Sequence, residues 1–282
     1  MLNSLKTFFL LAMMTGALIF FGGYFYGQSG AIIALLVGLL ANAFSYFFSD
    51  TIVLRTYRAR VTTREDRPDL HGMVENLAKR AGLPMPRVAI VPDATPNAFA
   101  TGRNPEHAVV AVTEGIMRVL SPHELEAVLA HELGHVKNRD ILIGSLSAVL
   151  SKAIMFVSRM AFYVSPRDKS GRPTNPIAGI LMMVLGPIAA LLLQMAISRS
   201  REYMADDFAA EITGRPDRLA DALRKISDHN KQAPMQRADS STAHMMIVSP
   251  LSGASLGSLF STHPPIQKRI DRLNRKAKIN MA

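Results

Sequence analysis

The chain has 282 residues, no cysteine and a formal net charge of +10. The lack of cysteine excludes disulfide frameworks and thiolate metal sites, so that any metal must be bound by His, Asp or Glu. The basic residues lie largely beside apolar segments and in the terminal "KRIDRLNRKAK", and no recognised nucleic-acid-binding motif accompanies them. This pattern favours an anionic lipid surface as their partner and excludes nucleic acid.

The first fifty residues predict a transmembrane hairpin. No charged residue occurs between Lys6 and Asp50, and the segments 7–27 and 31–49 are separated only by "GQSG". Each segment supplies the roughly 20 apolar residues that a helix needs to cross a bilayer, and the first is too long and too closely followed by the second to be a signal peptide. Five arginines follow in 55–67, which predicts that the bulk of the chain is cytoplasmic.

A second hairpin is predicted between residues 141 and 198. The stretch 173–198 is uncharged and long enough to span a bilayer, whereas the stretch 141–164 is interrupted by Lys152 and Arg159. The sequence therefore predicts either spanning or membrane-associated helices here. The predicted domains are a transmembrane hairpin (1–50), the first part of a protease domain (51–140), the second hairpin (141–198) and the second part of the protease domain (199–282).

The soluble segments predict an α+β fold that is mostly helical. Apolar residues recur at helical spacing in "RPDLHGMVENLAKRAGL", which ends at a glycine and a proline. Three short runs punctuated by the turn segments "PDATP" and "GRNPE" predict the strands of a small sheet. The predicted strands are 87–91, 97–101 and 108–113, further helices are expected at about 200–213 and 216–229, and a long loop is expected at 230–262.

The pentapeptide "HELGH", residues 131–135, lies in a predicted helix. Ser121, Pro122 and Glu124 form the signature of a capping box that starts this helix. His131 and His135 are four positions apart, so both imidazoles can reach one ion at the distance of about 2.0–2.1 Å that zinc requires. Glu132 is adjacent to the first histidine and can reach a water molecule on the ion without being a ligand. The pattern predicts a catalytic zinc site.

A third ligand has to come from a distant part of the chain. No third histidine follows at the spacing H-E-x-x-H-x-x-G-x-x-H. In "SREYMADDFAAE", Glu202 and Asp206 lie four apart on one helical face, so Glu202 is predicted to bind the metal while Asp206 is predicted to orient a liganding histidine. The other candidates are Asp207, Glu211, His229 and His263.

The order of these motifs resembles the HtpX family of membrane-bound zinc metalloproteases, relatives of the eukaryotic CaaX prenyl protease. The resemblance is carried by "PNAFATG", "HELGHVKNRD", "SRSREYMADDFAAEITG" and "STHPPIQKRI" after two N-terminal spans. It implies a polytopic membrane protein whose gluzincin-type (zincin-like) catalytic domain lies on the cytoplasmic side of a bacterial inner membrane. It also implies one zinc ion per chain on His131, His135 and Glu202, with Glu132 as the catalytic acid and base, and a role in membrane-protein quality control and stress response.

Two further contacts are expected around the active site. His263 in "THPP" and Arg269 are candidates for oxyanion stabilisation, by similarity to the related proteases. The segment "NAFAT" is a candidate strand edge, at which Asn97 and Ala98 would border an extended polypeptide substrate. The sequence gives no indication of an oligomeric state.

Two alternatives stay open at the level of the sequence. One is a CaaX-type protease that processes prenylated proteins with the same zinc chemistry. The other is a membrane scaffold or chaperone in which zinc only joins two helices, and such a structural zinc would have four protein ligands and no open position.

Overall fold

The computed structural model describes residues 2–150, 199–232, 247 and 264–281. Most of the predicted second hairpin and most of the predicted long loop therefore lie outside the described residues, as does His263.

The N-terminal helix α1 (Leu2–Thr56) is a helical hairpin. It is interrupted at Gly27, whose φ of 62° and ψ of −154° are not helical and require glycine's freedom at positive φ. The two halves pack against each other: the Asn42 side chain donates a hydrogen bond to Thr15 Oγ1 at 2.8 Å. A Cβ atom on Gly22 would lie 2.5 Å from the Gly30 carbonyl oxygen, so this contact is possible only between glycines. Among the described residues, one helix, Tyr26–Thr56, is long and apolar enough to cross a membrane.

The second half of this hairpin continues directly into the soluble part of the chain. Asp50 forms an ion pair with Arg87 at the start of the sheet. Near the helix end, Val53 is buried in a cluster with residues of the sheet, and the Tyr57 ring lies 5.0 Å from the ring of Phe99. The apolar hairpin and the sheet are therefore held together by packing as well as by the chain.

A mixed four-stranded sheet has the order β1-β2-β4-β3. The strands are β1 (Arg60–Val61), β2 (Arg87–Val91), β3 (Ala98–Thr101) and β4 (Val109–Thr113). The central strands β2 and β4 are parallel, whereas β1 and β3 pair antiparallel with β2 and β4 respectively. Within the described part of the chain, β3 is therefore an edge strand with one unpaired side.

Helices cover the sheet and form the rest of the core. Their apolar sides pack with β2 and β4 in one cluster of buried residues, to which Val74, Leu129 and Leu223 belong. The helices are α2 (Pro68–Ala81), α3 (Glu114–Val119), α4 (Pro122–Lys137), α5 (Asp140–Leu150), α6 (Arg199–Thr213), α7 (Pro216–Gln232) and α8 (Ile266–Met281).

The predicted capping box is confirmed. The Ser121 hydroxyl accepts a hydrogen bond from the Glu124 backbone N–H, and the Glu124 carboxylate accepts one from the Ser121 N–H at 2.8 Å. The predicted strands agree with the structure to within one residue at each end. The two-residue β1, the short α3 and the C-terminal helix α8 are not predicted.

Helix α5, the start of the predicted second hairpin, is packed against the soluble part of the chain. Its residues Ile141, Ile143 and Leu146 are buried, and the Ser145 hydroxyl lies 2.7 Å from Thr101 Oγ1 on the edge strand. The first turns of the predicted second hairpin thus pack on the sheet and on α4.

A candidate metal centre between three helices

Helix α4 carries the "HELGH" motif through the middle of the molecule. His131 and Glu132 are almost fully buried, and His135 is partly buried one turn later. The intervening Gly134 allows α6 to approach closely, because a Cβ atom there would lie only 3.0 Å from the Cα atom of Ala205. This close packing brings the acidic side of α6 against the histidines.

His131, His135 and Glu202 converge on one point. Each offers a ligand atom, and these atoms all lie within 4.8 Å of one another. The two histidine Nε2 atoms are 3.3 Å apart, while the Glu202 carboxylate oxygens lie 3.7 Å from His131 Nε2 and 3.5 Å from His135 Nε2.

These distances fit an ion with tetrahedral coordination. Ligands at about 2.0–2.1 Å from zinc in tetrahedral geometry are roughly 3.3–3.4 Å from each other. The observed separations of 3.3–3.7 Å need only small adjustments to match. Two imidazoles and one carboxylate are also the donor set of a catalytic zinc site, which keeps a fourth position open for water.

The charge of the surrounding residues also favours a divalent cation. Six ionisable carboxylate and guanidinium groups of the described residues are buried around the three ligand atoms, each at most 7% exposed. When all are ionised and both histidines are neutral, as in a metal-bound site, the carboxylates exceed the guanidiniums by two negative charges. One divalent cation neutralises that excess; without the ion, protons on Glu132 and His135, whose pKa values are raised to about 8 and about 9, take its place. The carboxylates are those of Glu132, Asp140, Glu202 and Asp206, and the guanidiniums are those of Arg201 and Arg269.

Asp206 and Arg269 stand behind the first histidine. Asp206 Oδ1 is 3.0 Å from His131 Nδ1, which directs the other ring nitrogen of this histidine toward Glu202. Arg269 donates to both Asp206 oxygens, at 2.9 and 2.7 Å, and lies 3.1 Å from Glu202 Oε2. In this arrangement Arg269 offsets one of these two negative charges and fixes the orientation of both carboxylates. Its predicted role at an oxyanion stays a prediction.

Asp140 and Arg201 stand behind the second histidine, and sequence reasoning does not single them out. Asp140 Oδ2 is 3.2 Å from His135 Nδ1, and Asp140 Oδ1 is 3.9 Å from Arg201 Nη1. Asp140 follows His135 by five residues. An acidic residue just beyond the motif is therefore a sequence signal for the partner of the second histidine. Nothing in the sequence pattern marks Arg201.

Glu132 lies beside the ligand group without joining it. Burial raises the pKa of its carboxyl group to about 8, and the Ala100 backbone N–H, which donates a hydrogen bond to it, acts in the opposite direction. A carboxyl group that titrates near neutral pH is suited to accept and return a proton. Glu132 thus lies between the ligand group and the edge strand.

The two histidines differ in their metal-free state. Burial is the largest influence on the pKa of His131 and lowers it. For His135, burial is outweighed by the hydrogen bond to Asp140 and by the charge of Glu202, so its pKa rises to about 9. A metal ion binds neutral imidazole, and its binding therefore has to displace a proton from His135 at neutral pH.

Asn97 and Ala98 lie at the start of the edge strand, close to this cluster. Both are buried, and the Asn97 side-chain oxygen accepts a hydrogen bond from the Ile247 backbone N–H at 3.1 Å. The Ile247 carbonyl in turn accepts one from Arg269 at 3.2 Å. Asn97 is thus connected to the metal-ligand surroundings through the backbone of Ile247.

Comparisons with known proteins agree with this geometry. Residues 64–277 match the model of peptidase family M48. The chain is 51% identical over 275 residues to "Protease HtpX homolog" of Pyrococcus furiosus, with 96% of this chain and 95% of the relative covered. It is 50% identical over 279 residues to the protein of the same name from Ralstonia pickettii, with 98% of both chains covered. Among solved structures, Ste24p of S. mikatae has a similar fold, with a TM-score of 0.54 at 18% identity; the alignment covers 97% of this chain and 65% of the solved chain.

Proposed function

The chain belongs to peptidase family M48, a family of metalloproteases, and we propose that it is a membrane-bound zinc-dependent endopeptidase that hydrolyses misfolded or damaged membrane proteins. The convergence of His131, His135 and Glu202 within 4.8 Å carries this proposal. With Glu132 ionised and both histidines neutral, the buried groups around them carry two excess negative charges, which one divalent cation per chain would neutralise.

The proposed mechanism uses the residues around this site in distinct roles. A bound zinc ion would act as a Lewis acid. It would polarise the scissile carbonyl and make water nucleophilic near neutral pH. Glu132 accepts the proton of the attacking water and delivers it to the nitrogen of the leaving amine as the C–N bond breaks. Asp206 and Arg269 hold His131 and Glu202 in place. No covalent acyl-enzyme forms, so that no serine or cysteine nucleophile is needed.

The edge strand β3 is the proposed binding site for the substrate backbone. Ala98 faces Val112 in the antiparallel register, while the Thr113 N–H donates to the Asn97 carbonyl at 2.9 Å. This pattern turns the backbone groups of Ala98 and Ala100 away from β4. The Ala100 N–H already donates to Glu132, so an extended peptide can pair by donating its own N–H groups to the Ala98 and Ala100 carbonyls, with little dependence on its side chains.

Methylating single backbone amides of a peptide substrate tests this binding mode. Because every second amide of an added strand faces β3, methylation at two alternate positions should lower kcat/KM by about tenfold each, the cost of roughly one lost hydrogen bond. Methylation at the amide between them should change kcat/KM far less and serves as the control. Equal losses at all positions would rule out strand addition.

Cytoplasmic placement of the protease domain is also proposed. The packed hairpin of α1 and the arginines that follow it support a pair of spans with the "GQSG" turn outside. A bacterial inner membrane is the proposed location, and membrane proteins that are misfolded or damaged under stress are the proposed substrates.

Single cysteines introduced into this cysteine-free chain can test the topology. Ser29→Cys in the exposed turn should react with a membrane-impermeant maleimide in intact cells. Glu65→Cys, also exposed, should react only after the membrane is permeabilised. Labelling of both cysteines from the same side would contradict the proposed hairpin.

A cleavage assay tests the proposed function itself. The purified full-length chain is stripped with a chelator, reloaded with zinc and incubated with an unfolded membrane protein or with a prenylated peptide. We expect cleavage of the unfolded protein that chelation abolishes and zinc restores. Preferential cleavage of the prenylated peptide would favour the CaaX-type alternative, and zinc binding without cleavage of either would favour a scaffold.

A further inference from the structure

Two carboxylates lie behind the two histidines of the candidate metal centre, one for each. The first, Asp206, contacts His131 Nδ1 at 3.0 Å and is paired with Arg269. The second, Asp140, contacts His135 Nδ1 at 3.2 Å and has Arg201 as its cationic neighbour. Both sides of the site therefore place a guanidinium, a carboxylate and an imidazole in the same order, but the Arg201–Asp140 separation of 3.9 Å is longer than the 2.7 Å between Arg269 and Asp206.

We propose that Asp140 and Arg201 are a second pair of positioning residues, which hold His135 in the tautomer and orientation that bind the metal. The proposal rests on the proposed zinc site and adds residues that act on a ligand without touching the ion. With Nδ1–H donating to Asp140, the lone pair of His135 Nε2 is left for the metal. That Nε2 atom indeed points at the group of ligand atoms, 3.5 Å from Glu202 Oε1.

The backbone between His135 and Asp140 sets up this contact. Helix α4 ends at Lys137, and Arg139 then adopts a φ of 57°, a left-handed conformation that costs a non-glycine residue about 1 kcal/mol or more. This turn reverses the chain so that Asp140, the first residue of α5, lies back beside the last turn of α4. The Ser145 hydroxyl then ties α5 to the edge strand by accepting a hydrogen bond from the Gly102 N–H at 3.3 Å.

Both side chains of the Asp140–Arg201 pair are buried, so water screens the interaction between their charges only weakly. Asp140 is 6% exposed and Arg201 is 4% exposed, so neither charge is well solvated. Arg201 directly precedes the proposed ligand Glu202, so that the same turn of α6 supplies a metal ligand and the counter-charge of Asp140. Loss of Asp140 would leave the His135 ring free to rotate or to change tautomer.

Zinc affinity of the full-length chain in detergent tests the proposal. It is measured by competition with a chelating dye for the wild type and for Asp140→Asn, Arg201→Met and Arg201→Lys. Asp140→Asn should raise the zinc Kd by about 10–100-fold, the usual effect of losing such a partner. Arg201→Met should raise it less, and Arg201→Lys should recover part of that loss because it keeps the charge. The double variant of Asp140→Asn and Arg201→Met should bind no more weakly than Asp140→Asn alone.

An exposed pair on α7 supplies the controls. Asp221 and Arg224 form an ion pair of 2.8 Å on the surface, and Asp221→Asn and Arg224→Met should bind zinc as the wild type does. The absorption bands of bound Co(II) give a second measurement, which should change in Asp140→Asn and not in the controls.

Two results would overturn the proposal. The first is a zinc Kd for Asp140→Asn within twofold of the wild type. The second is an Asp140→Asn variant whose metal-free melting temperature falls along with its zinc affinity while its Co(II) spectrum stays that of the wild type, since that would show a purely structural role. If the wild type itself binds neither zinc nor cobalt, the proposed function fails and this inference fails with it.

Discussion

Replacing Glu132 by Gln should reduce kcat by about 10²–10⁴-fold while leaving one zinc ion bound per chain. Glutamine has nearly the same shape and can still accept the hydrogen bond from the Ala100 N–H, but it cannot take a proton from water. Since Glu132 is not among the three grouped ligand residues, zinc affinity should not fall. Cleavage rates are measured on an unfolded membrane protein and zinc content by atomic absorption.

Glu126 offers a matched control on the same helix. It pairs with Arg80 at 3.0 Å at the protein surface, so Glu126→Gln should retain wild-type zinc content and activity. The assignment of Glu132 would be wrong if its glutamine variant kept more than about a tenth of the wild-type kcat. Loss of zinc from that variant would instead place Glu132 among the ligands.

Replacing Glu202 by Ala should weaken zinc binding by on the order of 100-fold or more, and cleavage at limiting zinc should fall with it. The substitution removes the single carboxylate of the ligand group. It also removes a partner of the buried Arg269, which lies 3.1 Å from Glu202 Oε2. Zinc Kd values from competition with a chelating dye measure the effect.

Glu211 is the corresponding control, because it lies on the same helix α6 and is exposed. Glu211→Ala should bind zinc and cleave substrate as the wild type does. A Glu202→Ala variant with an unchanged zinc Kd would show that another residue is the third ligand.

Local sequence signals predict those parts of the site whose residues lie together on a single helix. The capping box at Ser121 places "HELGH" inside a helix, and helical spacing puts His131 and His135 on the same side. The same spacing argument places Glu202 and Asp206 together on α6. In each case the contact partners are separated by one helical turn, so that the sequence alone determines the geometry.

Contacts between distant segments could not be predicted in the same way. Arg269 meets Asp206 across 63 positions and His131 across 138, and these contacts depend on how α8 packs against α6 and α4. Arg201 carries no pattern that distinguishes it from a surface arginine, and only its burial beside Asp140 reveals its role as a counter-charge.

The missed helix α8 is a different case, since its signal was present. Ile266, Ile270, Leu273 and Ala277 recur at spacings of four, three and four, which is the apolar pattern of a helix packed on one side. The dense positive charge of this segment is equally typical of a stretch of chain at a membrane surface, and it masks the apolar pattern. Strand β1 is too short, at two residues, to give an alternating pattern.

Anomalous diffraction at the zinc edge from crystals of the zinc-loaded chain tests the central claim most directly. We predict one strong peak per chain, within about 2.0–2.2 Å of His131 Nε2, His135 Nε2 and a carboxylate oxygen of Glu202. A peak with four protein ligands, or one that leaves Glu202 turned away from both imidazoles, would contradict the account.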